Sequence, residues 1–167
     1  METTGVSSND GHRIIELAAI EIKGAEITEQ RIHHFFNPER EVDSGAAAVH
    51  GLTLIELKNE PLFDIFAQEI ADFIRDAELI IHNAPFNLTF LNSEFVRAGL
   101  LPVESICTKV TDTLLLARMR YPSEKNDLDS LCKRFGIDYS NRSSYGALLD
   151  TEMLAEVYLK MYQQVLH

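Results

Sequence analysis

Glu2-Thr3-Thr4-Gly5 opens the chain with a carboxylate, two hydroxyls and a glycine, the make-up of a strand end that hands its last side chains to a site. Three later segments carry groups able to meet it: Val49-His50-Gly51-Leu52, His82-Asn83-Ala84-Pro85-Phe86-Asn87 and Tyr145-Gly146-Ala147-Leu148-Leu149-Asp150. Acidic groups that converge from separate elements repel one another, so such a cluster is stable only with cations between them. Hard oxygen ligands select magnesium or manganese. Two such ions about 4 Å apart suit phosphodiester hydrolysis, one activating water and the other stabilising the leaving oxygen. The plainer readings are a frayed, solvated Glu2, hydrogen-bonded structural histidines at His50 and His82, and a core aromatic at Phe86.

Groups this far apart in sequence need a scaffold to bring them together. After a polar loop over 6–11, His12 to Ile22 alternates with β-type residues, Lys23 to Glu26 reads as a turn, and Ile27 to Phe36 returns as a second strand of a hairpin. Residues 39–61 read as irregular or short helix. Phe63, Phe66, Ile70, Phe73 and Ile74 fall at helical spacing. Glu78 to Ile81 is a short apolar strand of the buried, parallel kind and runs into His82. Further helices are predicted from Phe86 to Ala98, from Asp112 to about Arg120, from an Asn126 cap to Phe135, and from Tyr145 to about Gln164, with a strand over Ser105–Val110. His33-His34 read as surface, and Asp112 and Asp129 as helix-end residues. A hairpin followed by alternating helices and buried strands gives an α/β fold, a mixed sheet with helices on both faces. Ligands in such sheets lie at the carboxyl ends of central strands, so the ends at Glu2 and His82 can share a mouth.

The 167 residues suit a single domain over 1–167. No apolar run approaches the ~20 residues of a membrane span, and there is no secretory signal. Cys107 and Cys132 lack metal-ligand spacing and sit in apolar surroundings, which points to reduced, buried thiols and a cytoplasmic setting. A formal charge of −11 argues against gripping long nucleic acid through the global field. It leaves open a cleft in which metal ions, not lysines, neutralise a short strand end.

Over essentially its whole length the chain resembles the DEDD 3′–5′ exonucleases, and among them the epsilon proofreading subunits of bacterial DNA polymerase III. The first family motif, Asp-x-Glu-Thr-Thr-Gly, is matched from its second residue on by Met1 to Gly5. The second, His-Asn-Ala-x-Phe-Asp, is matched by His82 to Phe86, and the third, His-Gly-Ala-Leu-Leu-Asp, by Gly146 to Asp150. Val49 to Gly51, Lys109 to Asp112 and Asn126 to Cys132 also match family segments. The resemblance implies a ribonuclease-H-like fold, a two-metal site for Mg2+ or Mn2+, and a 3′ end of single-stranded DNA as substrate. It places Thr3, Thr4, His50, His82, Asn83 and Phe86 around the terminal nucleotide, and Glu2 and Asp150 on the metals.

The departures fall on the catalytic positions. The family's first aspartate would precede Met1, the second-motif aspartate is Asn87, and the general-base histidine is Tyr145. A sister subfamily uses tyrosine one residue closer to the aspartate, and one residue turns a helical side chain by about 100°. Tyr145 therefore takes the histidine slot. A phenol with pKa ~10, against ~6.5 for imidazole, is a poor base at neutral pH. Two expectations follow: a proofreading enzyme strongly impaired in hydrolysis, or a non-catalytic structural or strand-end-binding module of a polymerase assembly. A relative acting on short RNA is a weaker third. The family's buried strand before the first motif and its polymerase-binding tail are not in this sequence, so instability of the chain and an upstream start are expected. A small helical accessory subunit stays a possible partner.

Overall fold

In the computed structural model, which describes residues 1–165, a long hairpin follows a short opening strand. Strand β2 (Ile14–Lys23) pairs antiparallel with β3 (Glu26–Phe35), in register from Glu16↔Phe35 to Lys23↔Glu26 with an irregularity between Ile20 and Ile22. The two-residue connection has Gly24 at φ 62, a left-handed angle that glycine adopts without steric cost. Strand β1 (Glu2–Thr3) pairs antiparallel along the other side of β2. β3 is thus an edge of this sheet, and its mostly exposed residues, among them Glu26, Glu29 and Arg31, protect it from edge-to-edge pairing. A second, parallel pair joins β4 (Glu78–Ile81) to β5 (Lys109–Asp112), with Ile81 opposite Asp112. The mixed sheet expected from the sequence is therefore two separately hydrogen-bonded units, one antiparallel and one parallel.

Four consecutive residues of β2, Ile14 to Leu17, are buried. A strand buried at successive positions must be covered on both faces. One cover is α3 (Phe63–Ile74) with α4 (Ala84–Arg97), and the other is α7 (Gly146–Val165), which lies along β2. α3 presents Phe63, Ala67, Ile70, Ala71 and Ile74 inward at i, i+4, i+7, i+8 and i+11. These pack with Ile14, Leu17, Phe36, Phe90 and Phe95 into one apolar core. A second core lies between α5 (Thr113–Arg120), α6 (Leu128–Phe135) and α7, built from Ala117, Leu131, Cys132, Met153, Val157 and Met161. Short helices α1 (Ser44–His50) and α2 (Leu54–Leu57) fill the long connection after β3.

Several boundaries move for identifiable reasons. α4 starts at Ala84 because Asn83, at φ 68, and Pro85 in the first turn set the helix going two residues before Phe86. β5 begins only at Lys109, because Val103–Ser105 form a 3-10 turn. The cap of α6 is Asp127, whose carboxylate accepts from the Ser130 N–H, and not Asn126. Asn126 instead turns inward, donating to the Tyr121 and Glu124 carbonyls and accepting from Arg134. Asp112 does cap α5. Both cysteines are free and buried, and burial pushes the Cys132 thiol up to about 11.

Candidate functional site

Strand β1 sets Glu2 directly opposite Glu16 on β2, and like charges facing across a strand pair repel. Glu16 is 2% exposed and is hydrogen-bonded to His33 Nε2 at 2.8 Å. Its carboxylate lies against the first residue of α7: a Cβ added at Gly146, itself at φ 58, would stand 2.7 Å from Glu16 Oε2. The same helix carries Asp150 one turn on, so Glu2, Glu16 and Asp150 form a single acidic corner. Burial is the largest cause that lifts the Glu2 carboxyl from its ordinary 4.5 to about 7. The Met1 amino group pulls it down, while Asp150 and Glu16 push it further up. Asp150, open to solvent on one side, is also raised, chiefly by desolvation and then by Asp129 and Glu16 against the pull of the same amino group.

Glu16 was not foreseen as part of this corner. Its signal was present in the sequence: Glu16 is the one charged residue within the apolar run Ile14-Ile15-Glu16-Leu17-Ala18. His33 and His34 are likewise not plain surface. The first bonds Glu16, and the second stacks on Phe66 at 3.9 Å and meets Glu69.

The other two catalytic positions are not brought into the corner. Asn87 donates its amide to the carbonyls of His82, at 3.2 Å, and Asn83, at 2.8 Å. Those two acceptors favour an amide over a carboxylate there. Tyr145 precedes α7, is 81% exposed, and has no hydrogen bond to Glu2 or Asp150. Among the described residues no group of three or more His, Cys, Asp or Glu is arranged to hold a metal ion. The donors present do not fit a two-metal site. Glu2 and Asp150 offer carboxylate oxygens to one cation at most, with Glu16 already committed to His33.

The residues expected around a terminal nucleotide are mostly tied into the fold. The Thr3 hydroxyl donates to the Gly5 carbonyl at 2.7 Å. Thr4 is fully buried. Its oxygen accepts from the Arg13 N–H at 2.9 Å, so its proton goes to His12 Nδ1 at 2.9 Å, leaving the Nε2–H for Asp43 at 3.3 Å. Gly5 is required by space and not by angle, since any Cβ there would overlap the His12 ring. His50 accepts from the Leu52 N–H at Nδ1 and therefore donates from Nε2 to the Thr3 carbonyl. Phe86 packs on Phe90 at the border of the first core.

His82 links three elements. Its Nε2–H donates to the Asn126 carbonyl and its Nδ1 meets the Thr113 hydroxyl, both at 2.9 Å. Burial is the main reason its pKa is lowered, and the ring is neutral. His82 is bonded to the start of α5 and to the residue before the α6 cap, while Glu2 pairs with β2. Asn83 and Ala84 donate their N–H groups to Asp112, which also caps α5. Beneath all this, Glu94 of α4, 2% exposed, clasps Arg13 through two bonds of 2.6 and 2.9 Å and accepts from the Ile14 N–H.

A sheet that ends in carboxylates, flanked by helices that carry the next acid, is the frame of a nuclease, and residues 1–158 match the Exonuclease family, to which the chain belongs. More particularly, it is 46% identical over 165 residues to the DNA polymerase III subunit epsilon of Pasteurella multocida, covering 96% of this chain and 65% of that protein. The epsilon subunit of Rickettsia felis is 44% identical over 163 residues, covering 96% and 70%. The chain thus spans about two thirds of the length of these curated relatives. Among solved structures, Exonuclease X in complex with 5′ overhanging duplex DNA aligns at a TM-score of 0.74 and 20% identity, covering 98% of this chain and 88% of that one. E. coli Exonuclease I in complex with a dT13 oligonucleotide aligns at 0.75 and 19%, covering 99% and 39%. The fold is that of the ribonuclease-H-like exonucleases.

Proposed function

We propose that this chain is an epsilon-type 3′–5′ proofreading exonuclease domain that receives the 3′ end of single-stranded DNA during replication and hydrolyses it slowly. The observation that supports it is the acidic corner: Glu2 and Asp150 stand together at the strand end, and mutual repulsion helps raise Glu2 to about 7. Acids held together in this way attract a divalent cation, magnesium or manganese for oxygen ligands. The same corner argues for slow turnover. Asn87 is bonded to its own helix and Tyr145 stands in solvent, so neither supplies a metal ligand or a base. What the chain's own residues still do is shape the approach, with Thr3 and His50 locking the backbone that presents Glu2. A strand-end-binding subunit without turnover is the limiting case of this reading. The polymerase catalytic subunit and a small helical accessory subunit are the partners the family relation suggests, in the cytoplasm; no described helix is long and apolar enough to cross a membrane.

The deciding experiment is a 3′–5′ exonuclease assay on a 5′-labelled single-stranded oligonucleotide with Mg2+ or Mn2+, beside an epsilon relative with intact motifs. Each metal contributes several kcal/mol of charge stabilisation, and ~1.4 kcal/mol is a factor of ten, so a deficit of at least ~10³ is expected. Turnover within tenfold of the relative overturns the slow-hydrolysis reading. In the variant Asn87→Asp with Tyr145→His, calorimetry should show tighter Mn2+ binding than in the parent. Equal binding would mean that cleft geometry, and not its ligands, has been lost.

A further inference from the structure

Helix α5 is apolar on two sides. Thr113 and Ala117 are buried beneath it, yet Leu115 and Met119 are 56% and 73% exposed, and Leu116 beside them is exposed as well. At about 100° per residue, these three point away from Ala117 and form one stripe along the outer side of the helix. Single exposed leucines are ordinary on a protein surface. A stripe of three on one short helix marks a face that something covers. The stripe runs between cations. Arg118 flanks it on one side and Arg120 on the other, and Arg120 with Lys160 lines a groove of about 530 Å³ at the end of α7. The Arg120 guanidinium donates to the carbonyls of Met161 and Gln164, which fixes it without neutralising it. Acidic residues outnumber lysine and arginine by 26 to 15 in this chain. Even so, none of these three cations is in an ion pair among the described residues, whereas Arg13, Arg31 and Arg142 each meet a carboxylate.

We infer that the outer face of α5 is a protein-docking surface whose occupant is an amphipathic helix of another protein, its apolar stripe edged with Asp and Glu. A helix laid across α5 seats its side chains in the grooves between Leu115, Leu116 and Met119. Its carboxylates meet Arg118 on one edge and Arg120 with Lys160 on the other, so charges left unpaired in this chain become paired on binding. The charge pattern also chooses between occupants. A second copy of this chain brings a net charge of −11 to the contact, which opposes self-association. A nucleic acid would satisfy the cations but not the stripe, which is aliphatic and offers no aromatic ring for a base to stack on. An acidic amphipathic helix satisfies both. Neither Glu2 nor Asp150 takes part in this contact.

Fluorescence anisotropy on the whole chain tests this, with a labelled synthetic helix of about 15 residues that carries leucines at i, i+3, i+4 and i+7 and glutamates on both flanks. That helix should bind in the micromolar range, and the same helix with lysines in place of the glutamates should not. Met119→Glu alters a side chain that stands mostly in solvent, so the unfolding midpoint should hold while binding weakens at least about tenfold at any salt. Arg118→Glu with Lys160→Glu should weaken binding about tenfold at low salt, and the difference from the parent should vanish in ~1 M salt. Binding that ignores Met119→Glu overturns the docking surface, as does equal binding of the lysine helix or no binding of either. Displacement of the acidic helix by an oligothymidylate would make the face a nucleic-acid contact, and self-association abolished by Met119→Glu would make it a contact between copies. Either result overturns the assignment.

Discussion

Two residues apart at the start of the chain, Thr4 and Glu2 face opposite situations. Around Thr4 every donor has an acceptor inside the chain: Arg13 to Thr4, Thr4 to His12, His12 to Asp43, and Arg13 again to Glu94. Around Glu2 there are acids without a counter-charge of matching size, and the side chains that would complete the corner point elsewhere. The first region is complete without a ligand, while the second leaves carboxyl groups facing one another. The fold around Thr4 is thus held by bonds that do not involve the acidic corner.

The strongest way to break this comparison is to attack the closed side. Glu94→Ala strands the Arg13 charge and the Ile14 N–H in the interior, and breaking a buried pair from one side costs ~3–5 kcal/mol. For a chain of this size that is a fall in Tm of about 10 °C, read by thermal unfolding. A fall of one or two degrees would mean that the network is not what holds β2 to α4. Next in size is Gly5→Ala, which drives a methyl into the His12 ring. Overpacking of this kind costs ~1–3 kcal/mol, measured by denaturant unfolding, and should displace the His12 ring resonances as the Thr4 bond is lost.

The smallest effect sharpens the open side. The Glu2 carboxyl is raised from 4.5 to about 7, so the folded state favours its neutral form. The resulting stability is fully present below about 4.5 and is lost as pH rises through 7. Partial exposure screens the effect to ~1–2 kcal/mol. Stability profiles of the chain and of Glu2→Gln should differ by this slope between those limits, and Mn2+ should remove the difference. Parallel profiles would show that Glu2 is not held against other acids.

Much of the frame was legible because it is periodic or punctuated. The α3 stripe, the Lys23–Glu26 turn, the apolar run into His82 and the Asp112 cap all declare themselves through spacing or a special residue. The α6 cap was misplaced by one position because Asn126 and Asp127 are both good caps, and the inward partner Arg134 that claims Asn126 lies a full helix away. The corner was half legible. Glu2, Asp150 and the loss of an acid at Asn87 follow from the motifs, but the Glu16–His33 pair depends on cross-strand placement and on the approach of α7. No local pattern carries either. Thr4 and His82 were expected around a terminal nucleotide from the family motifs; the hydrogen bonds each makes inside the chain depend on the elements packed against them, which no local pattern carries.

The division of the interior into two apolar cores has a consequence for motion. Hydrogen exchange in folded proteins proceeds through units that open separately, each with its own free energy. Here the larger unit comprises β2, β3, α3 and α4, and the smaller one α5, α6 and the inner face of α7. Glu2 lies beside the first, and Asp150 rides on α7, whose inner face enters the second core while the helix also lies along β2. An opening that loosens only the helical unit would draw the two carboxylates apart while leaving the hairpin intact. An ion shared between them would act as a strut across the seam, and it would slow exchange in the amides of α6 and of the last turns of α7, away from the carboxylates themselves.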